Sequence, residues 1–407
     1  MELERARAAL RERYGAPVIS AVLRWDGGES ELLAGRAFRA GTEQLEAGLA
    51  GARLTVLARR EEPIPGGRAA LYAVEGTARD TAAVCASLRE GWPLAGLFDL
   101  EDGENILGAQ IPPPGEARRR MAAYFALADR ERAAALVTRA LLDEVCATPK
   151  PGLVDRANNG SHRDMSLFTF TASAAALAPY WRRCVQIGQD TAEQGPEETF
   201  RALRRAGQGA ERAMFAATGG VNTHKGAIFT LGIICGTVGR LWRPESPCRD
   251  PETILAQCSA LAAGAARRDF AALRDTPPRT AGERLYAEQG ITGIRGEAAQ
   301  GFPSVSQIAL PALRRALAAG RSRNDAAVLA LLSLIARVAD TNMLSRGGPE
   351  AARSAAEDCA RLLEGDAMPS MEAVSRLDEA FIRQNLSPGG CADLLSAALF
   401  LWDWSQA

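Results

Sequence analysis

Two textures of hydrophobic patterning divide the chain. From residue 118 onward nearly every long segment repeats apolar residues at helical spacing, with Ala, Leu and Arg filling in: 118–146, 166–184, 197–216, 224–242, 251–273, 303–319, 324–339, 350–364, 371–384 and 390–404. "TASAAALAPYW" and "AAVLALLSLIARVAD" are apolar almost all round, which predicts helices at the centre of a large helical domain. Residues 17–108 mix periods instead. "PVISAVLRW", "RLTVLARR", "AALYAVEG" and "LAGLFDLED" read as strands, and 32–50 and 79–90 read as helices. Between the two textures, "AQIPPPGEA" holds three consecutive prolines, which continue neither a helix nor a sheet and make a linker. The expected fold is therefore mainly α: a small α+β domain over 1–116 followed by a large all-α helical domain over 117–407, with no internal repeat.

Composition narrows the function classes. A net charge of -1 without any Lys/Arg block argues against a nucleic-acid footprint or a polybasic membrane anchor, so the expected partners are small or specific. The start, "MELERARAALRERYG", lacks the apolar core of about 7–15 residues of a signal peptide. The most apolar run, "GAIFTLGIICGTVGRLW", is interrupted by glycines and falls short of the ~20 residues of a bilayer span. Eight cysteines (Cys85, Cys146, Cys184, Cys235, Cys248, Cys258, Cys359 and Cys391) show neither C-x-x-C pairing nor metal-type spacing. Buried free thiols in a reducing cytoplasm are the expectation.

Short, Gly-rich polar islands join the helices: "PKPGLVDRANNGSHRDM" (149–165), "TGGVNTHKG" (218–226), "GITGIRGEAAQG" (290–301), "DTNMLSRGG" (340–348) and "NLSPGGCADLL" (385–395). Of 48 basic residues only Lys150 and Lys225 are lysines, and the two histidines are His162 and His224, all four on islands. Charged and amide groups beside paired glycines suit backbone brought close to a ligand. "TGGVNTHKG" precedes a helix, whose free N–H groups and positive dipole end favour a phosphate, with Lys225 adding an ammonium; a plain helix start capped by Thr223 is the other reading. In "NLSPGGCADLL", Ser387 as N-cap with Pro388 behind it is a common helix opening, and Asp393 fits a first-turn acid. Asp155, Asp164, Glu211, Glu297, Asp340 and Asp393 are open to capping, ion-pairing or Mg²⁺ roles, since Mg²⁺ needs only about one or two carboxylates beside substrate phosphates.

Taken together and in order, "PKPGLVDRANNGSHRDM", "GVNTHKGAIF", "GIRGEAAQGFP", "DTNMLSRGG" and "NLSPGGCADLL" closely resemble the triphosphoribosyl-dephospho-CoA synthase family, from about residue 120 to the last residue. Cys391 stands where that family usually has a small Ser after the double glycine. The resemblance implies transfer of the triphosphoribosyl group of ATP to the 2'-OH of 3'-dephospho-CoA with release of adenine, Mg²⁺ accompanying ATP, in the service of citrate lyase or malonate decarboxylase. It implies catalytic or magnesium-binding roles for Asp155, His162, Asp164, Glu297, Asp340 and Asp393. It implies substrate contacts for Lys150, Asn222, His224, Lys225, Gly226, Arg295, Asn342, Arg346, Ser387, Gly389 and Gly390. The family's α-linked product implies a single inverting displacement, hence no obligatory nucleophilic Cys. A hydrolase releasing adenine to water, and an inactive scaffold presenting the acyl carrier subunit of citrate lyase, are the alternatives from other classes.

The first unit resembles, more faintly, citrate lyase phosphoribosyl-dephospho-CoA transferase, through "GRAFRAGTEQLEAGLA" and "GGRAALYAVEGTARDTAAVCASLREGWPLAGLFDLEDG". That family's D-x-D metal motif is here Asp99 and Glu101, a change that points to a degenerate unit or a docking module.

Overall fold

The computed structural model describes residues 126–127, 129–243, 247–273, 275–364 and 369–407, preceded by the backbone of five strands and of the first turns of one long helix. Two compact units emerge, Met1–Ala128 with Arg243–Ser246, and Asp129–Trp242 with Pro247–Ala407.

In the first unit, β1 (Ile19–Trp25), β2 (Gly28–Ala34), β3 (Thr55–Ile64), β4 (Gly67–Glu75) and β5 (Leu94–Asp99) form a sheet in the order β3-β4-β1-β2-β5. The β1–β4 pair is parallel and the others are antiparallel. Trp25 of β1 pairs with Gly28 of β2. β2 occupies 32–34, where the pattern predicts a helix. Pairing with β1 on one side and β5 on the other outweighs a weak local signal. The rest of that predicted helix, the one at 79–90, and Glu101 lie outside the described residues.

The second unit is helical: α1 (Glu116–Cys146), α2 (Leu167–Asp190), α3 (Pro196–Ala217), α4 (Lys225–Arg240), α5 (Pro251–Ala272), α6 (Ala281–Gln289), α7 (Gly293–Ala299), a π-helical turn (Val305–Ala309) running into α8 (Leu310–Ala318), α9 (Arg323–Ile335), α10 (Thr341–Leu362), α11 (Met371–Arg383) and α12 (Gly389–Gln406). Buried over almost its whole length, α4 packs against α2, α3, α5 and α12. Its glycines explain the interrupted apolar run. A Cβ on Gly188 of α2 would lie 2.0 Å from the Gly236 carbonyl oxygen, and one on Gly239 would lie 2.1 Å from that of Val185. The two backbones thus touch, at a helix-propensity cost of about 1 kcal/mol per glycine. Trp181, Phe302, Phe381, Phe400 and Trp404 are fully buried, and a large apolar side chain so placed contributes about 1.5–3 kcal/mol. Arg323 ties the outer helices, donating to both carboxylate oxygens of Asp403 (2.9 and 2.7 Å) and to Asp143 (2.6 Å).

Two islands prove to be helical. α6 and α7, with 9 and 7 residues, are too short for periodicity to reveal, and α7 lies inside "GITGIRGEAAQG". α10 begins at Thr341 rather than near 350, so "DTNMLSRGG" forms its first turns. Gly348 (φ 80°, ψ 173°) followed by Pro349 kinks that helix and masked its start in the sequence.

Candidate active site

The polar islands meet around a cleft of about 540 Å³. First turns of five helices open onto it: Lys225 and Gly226 of α4, Gly282 and Glu283 of α6, Gly293 and Ile294 of α7, Thr341 and Asn342 of α10, and Gly389 and Gly390 of α12. On α6 and α10 side chains already cap the end, Thr280 accepting from the Glu283 N–H and Asp340 from those of Asn342 and Met343. α4 and α12 begin at His224 and Pro388 without a side-chain cap. Thr223 and Ser387 are therefore not caps. Thr223 donates to Ser173 and Ser387 pairs with His162. Carboxylates from other helices sit on the third N–H group of each, Asp393 on that of Ala227 and Asp340 on that of Cys391, so only the first N–H groups of α4 and α12 remain to favour an anion.

Cations and carboxylates line it together. Lys150, only 1% exposed, is paired to Glu144 in the last turn of α1. Burial pushes the Glu144 carboxyl up, and the Lys150 ammonium works against that rise. Asp393 of α12 accepts the Ala227 N–H of α4; burial and the neighbouring charges of Glu144 and Asp340 hold its carboxyl well above the ordinary carboxylate range. A Cβ on Gly226 would lie 1.9 Å from the Asp393 Oδ2, so this glycine admits the protein's own carboxylate to the helix end. Lys225, half exposed, pairs with Glu211 at 2.9 Å, and Arg295 with Glu283 at 3.2 Å. Among the described residues no group of three or more His, Cys, Asp or Glu could hold a metal ion by itself.

His224 is the most constrained group in the cleft. It is 3% exposed, its backbone N–H points at the Met214 sulfur, and Phe170 meets its ring edge-on at 5.0 Å. The Thr223 hydroxyl donates to the Ser173 Oγ at 2.8 Å, and Ser173 lies 2.7 Å from Nδ1. With its own oxygen already accepting, Ser173 satisfies its proton by donating to Nδ1, which leaves the proton of the ring on Nε2. Among the described residues no group accepts it: Nε2 is buried without a partner, on a residue that lines the cleft. Burial, helped by the Lys150 charge, pushes the His224 pKa down to about 3, so the ring is neutral near pH 7. His162 also lines the cleft, its Nε2 2.8 Å from Ser387 Oγ, and burial together with Arg346 lowers its pKa. Arg346 itself donates to Asn385 and Ser161 carbonyls.

Of the remaining residues singled out by the sequence, Asn222 lines the cleft and four carboxylates do not. Asp155 accepts the N–H groups of Lys150 (3.1 Å), Ala157 (2.6 Å) and Asn158 (3.0 Å). Asp340 accepts those of Asn342 (2.8 Å), Met343 (3.1 Å) and Cys391 (2.8 Å). Glu297 accepts from the Ser304 hydroxyl and N–H (2.6 and 3.1 Å), and Asp164 is exposed. These groups are fastened to backbone or turned away, and Asp393 is the member of the expected magnesium set that faces the cleft. Cys391 is buried and its thiol is raised by burial and Asp340, which suits packing rather than nucleophilic attack. The seven described cysteines are free.

Sequence reasoning missed Glu144, Ser173 and Asp378. Glu144 carried a signal, an acid in the last turn of a helix against its dipole, which requires a cationic partner. Asp378 accepts from the Gly152 N–H and the Asn158 amide, both at 2.8 Å, and so pins the loop bearing Lys150. Nothing local distinguishes it on an amphipathic helix.

The family model described as ATP:dephospho-CoA triphosphoribosyl transferase matches residues 130–407. A Vibrio cholerae protein named "Probable 2-(5''-triphosphoribosyl)-3'-dephosphocoenzyme-A synthase" is 45% identical over 279 residues, 67% of this chain and 87% of its own. A Citrobacter koseri protein of the same name is 42% identical over 276 residues, 67% of this chain and 90% of its own. The "2-(5''-triphosphoribosyl)-3'-dephosphocoenzyme-A synthase" of Pectobacterium atrosepticum is 42% identical over 274 residues, 66% of this chain and 87% of its own. No solved structure matches.

Proposed function

Because the chain belongs to the ATP:dephospho-CoA triphosphoribosyl transferase family, we propose that the cleft between α4 and α12 is where the triphosphoribosyl group passes from ATP to the 2'-OH of dephospho-CoA and adenine is released. The chain is a transferase acting on ATP and dephospho-CoA. The observation that carries the assignment to this cleft is the buried Nε2 of His224, at the start of α4, which has no partner among the described residues.

Triphosphate oxygens take the N–H groups of the first two residues of α4 and α12 and the charges of Lys225 and Arg346, while Lys150 stays paired to Glu144 beneath. His224 is a fixed neutral donor, because a ring that protonates only near pH 3 shuttles no proton at pH 7. Its Nε2–H donates to a substrate oxygen and costs no reorganisation as charge develops. His162, held unprotonated by its surroundings and hydrogen-bonded to Ser387, accepts the proton of the attacking hydroxyl. Adenine leaves through an oxocarbenium-like transition state in one displacement, so no thiol takes part. Asp155, Asp340 and Glu297 hold the backbone on which these groups stand.

Glu144 and Asp393 are the residues fitted to hold Mg²⁺: both carboxyls line the cleft, and the crowding that raises Asp393 is what a divalent cation relieves. The ion supplies charge neutralisation of the triphosphate. Among the described residues no helix is long and apolar enough to cross a membrane. Free thiols and the use of ATP fit a cytoplasmic enzyme, and the product fits the prosthetic group of citrate lyase, whose acyl carrier subunit is the proposed downstream partner.

Incubation of the full chain with ATP and Mg²⁺, with and without dephospho-CoA, followed by chromatography, tests this reading. Adenine should appear only with the acceptor; equal release without it would make the protein an adenine-releasing hydrolase.

A further inference from the structure

A second cavity, of about 420 Å³, adjoins the cleft and shares Lys225, Gly226, Thr280, Ile294 and Arg295 with it. Its size lies within the ~300–1,000 Å³ of small-molecule sites. Beyond the shared residues its walls change character. Phe200, Leu203, Ile228, Phe229 and Ile233 face it, and the Tyr180 hydroxyl is occupied by the Ile228 carbonyl at 3.1 Å, leaving the ring as an apolar surface. The charged residues of its lining are paired with one another, Lys225 with Glu211, Arg204 with Asp269 at 3.2 Å, and Arg295 3.9 Å from Asp269. The order along the two spaces is polar cleft, cationic junction, apolar pocket.

From this order we infer that the apolar cavity is the site for the pantetheine arm of the acceptor, an inference that rests on the transferase reading above. Dephospho-CoA consists of a nucleoside, a diphosphate and an uncharged arm with a geminal dimethyl group, two amides and a thiol, in the same sequence. The nucleoside must lie in the cleft, since its 2'-OH attacks the ATP ribose there. Its diphosphate then falls at Arg295, leaving Lys225 to the triphosphate, and the arm has the apolar cavity ahead of it. The phosphate end of ATP has no group suited to those walls, and its adenine is the competing occupant that the KM for ATP tests. The cavity thereby selects a coenzyme-A precursor over a bare nucleotide as acceptor.

Gly207 on α3 provides the test. A Cβ there would meet only the Tyr180 hydroxyl at 3.4 Å and Ile228 Cγ2 at 3.7 Å, ordinary contact distances, so a larger side chain grows into the cavity without disturbing backbone. Replacing a helical glycine also favours the helix. Binding of dephospho-CoA and of ADP, which lacks the arm, is measured by calorimetry on the parent, Gly207→Ala and Gly207→Leu. The parent should bind dephospho-CoA at least tenfold more tightly than ADP. Gly207→Leu should erase that difference while the affinity for ADP and the KM for ATP stay within twofold, with Gly207→Ala between. Phe229→Glu, which places a carboxylate on the apolar wall, should erase it too and serves if the leucine variant melts early. A parent that does not distinguish the two ligands, equal losses for both, a rise in the KM for ATP alone, or variants indistinguishable from the parent would each overturn the assignment. Failure of the transferase reading is separate, because it appears in the unaltered protein as adenine release without acceptor.

Discussion

The loop over 147–166 and the floor formed by the starts of α4 and α12 carry the same kinds of residue and use them in opposite ways. In the loop, polar groups close on the protein itself. Asp155 takes three backbone N–H groups, Asp378 reaches in to hold Gly152 and Asn158, and the Ser161 hydroxyl donates to the Leu386 carbonyl at 2.6 Å. On the floor they stay unfinished: His224 Nε2 has no partner among the described residues, and Asp393 is crowded by other acids. A motif rich in Asp, Asn and Gly therefore contains both a frame and a working surface. Residue type does not separate them; hydrogen-bond satisfaction does.

The frame should fail structurally. Asp340 serves three N–H groups from two helices, and Asp340→Ala leaves the buried ones among them without an acceptor. Charge-assisted bonds of this kind are worth about 1.5–3 kcal/mol each, with partial compensation by water, so a loss of about 3–5 kcal/mol is expected. Thermal unfolding should report it as a fall of roughly 10 °C. A variant that melts with the parent yet is inactive would move Asp340 from the frame to the working surface.

The same division explains how far the sequence could be read. The long helices were legible because ten or more residues of 3.6 periodicity leave little ambiguity, as in the central α4. α6 and α7 were not, being only 9 and 7 residues long, and the start of α10 was hidden by Gly348-Pro349, where non-helical backbone divides the element into two helical pieces. The islands correctly marked where the cleft lies. Which island residue faces it was illegible, because that depends on partners far along the chain: Asp378 is 226 residues from Gly152, and Ser173 is 51 from His224. Even the glycines were read for the wrong neighbour at Gly226, where the close approach is made by Asp393 rather than required by a ligand.

On the working surface, substitution should cost rate and not fold. Lys225→Arg keeps the charge on a half-exposed side chain and can keep the pair with Glu211. A compact ammonium moves between phosphate oxygens, whereas a planar guanidinium fork is wider than the first turn of α4 beside Gly226 accommodates. Losing one charge-assisted contact in the transition state costs about 2–3 kcal/mol, or roughly thirty- to a hundred-and-fifty-fold in turnover. The melting temperature should stay within about 2 °C, as expected for a surface position outside any special feature. Turnover within threefold of the parent would reduce Lys225 to an ordinary rim ion pair.

The smallest effect has the most diagnostic sign. Asp393 titrates above the ordinary carboxylate range in the folded protein because burial, Glu144 and Asp340 all oppose its charge. A carboxyl whose pKa rises on folding binds more protons folded than unfolded between the two values, so its contribution to stability falls as pH climbs through that window. Above the unfolded value the raised carboxyl is a net cost to the folded state. Asp393→Asn removes the titration, keeps an oxygen for the Ala227 N–H, and should stabilise the protein by about 0.5–2 kcal/mol at pH 7 while abolishing most of the turnover, the trade expected where a site stores electrostatic strain. The gain should shrink as the pH is lowered and vanish below about 3.9, where the parent carboxyl becomes protonated in both states. Unfolding curves at pH 7 and pH 5 measure both points. An asparagine variant less stable than the parent at pH 7, and no more so at pH 5, would mean that the carboxylate is held as a satisfied ion pair with Lys150, and Asp393 would then belong with Asp155 and Asp340 in the frame.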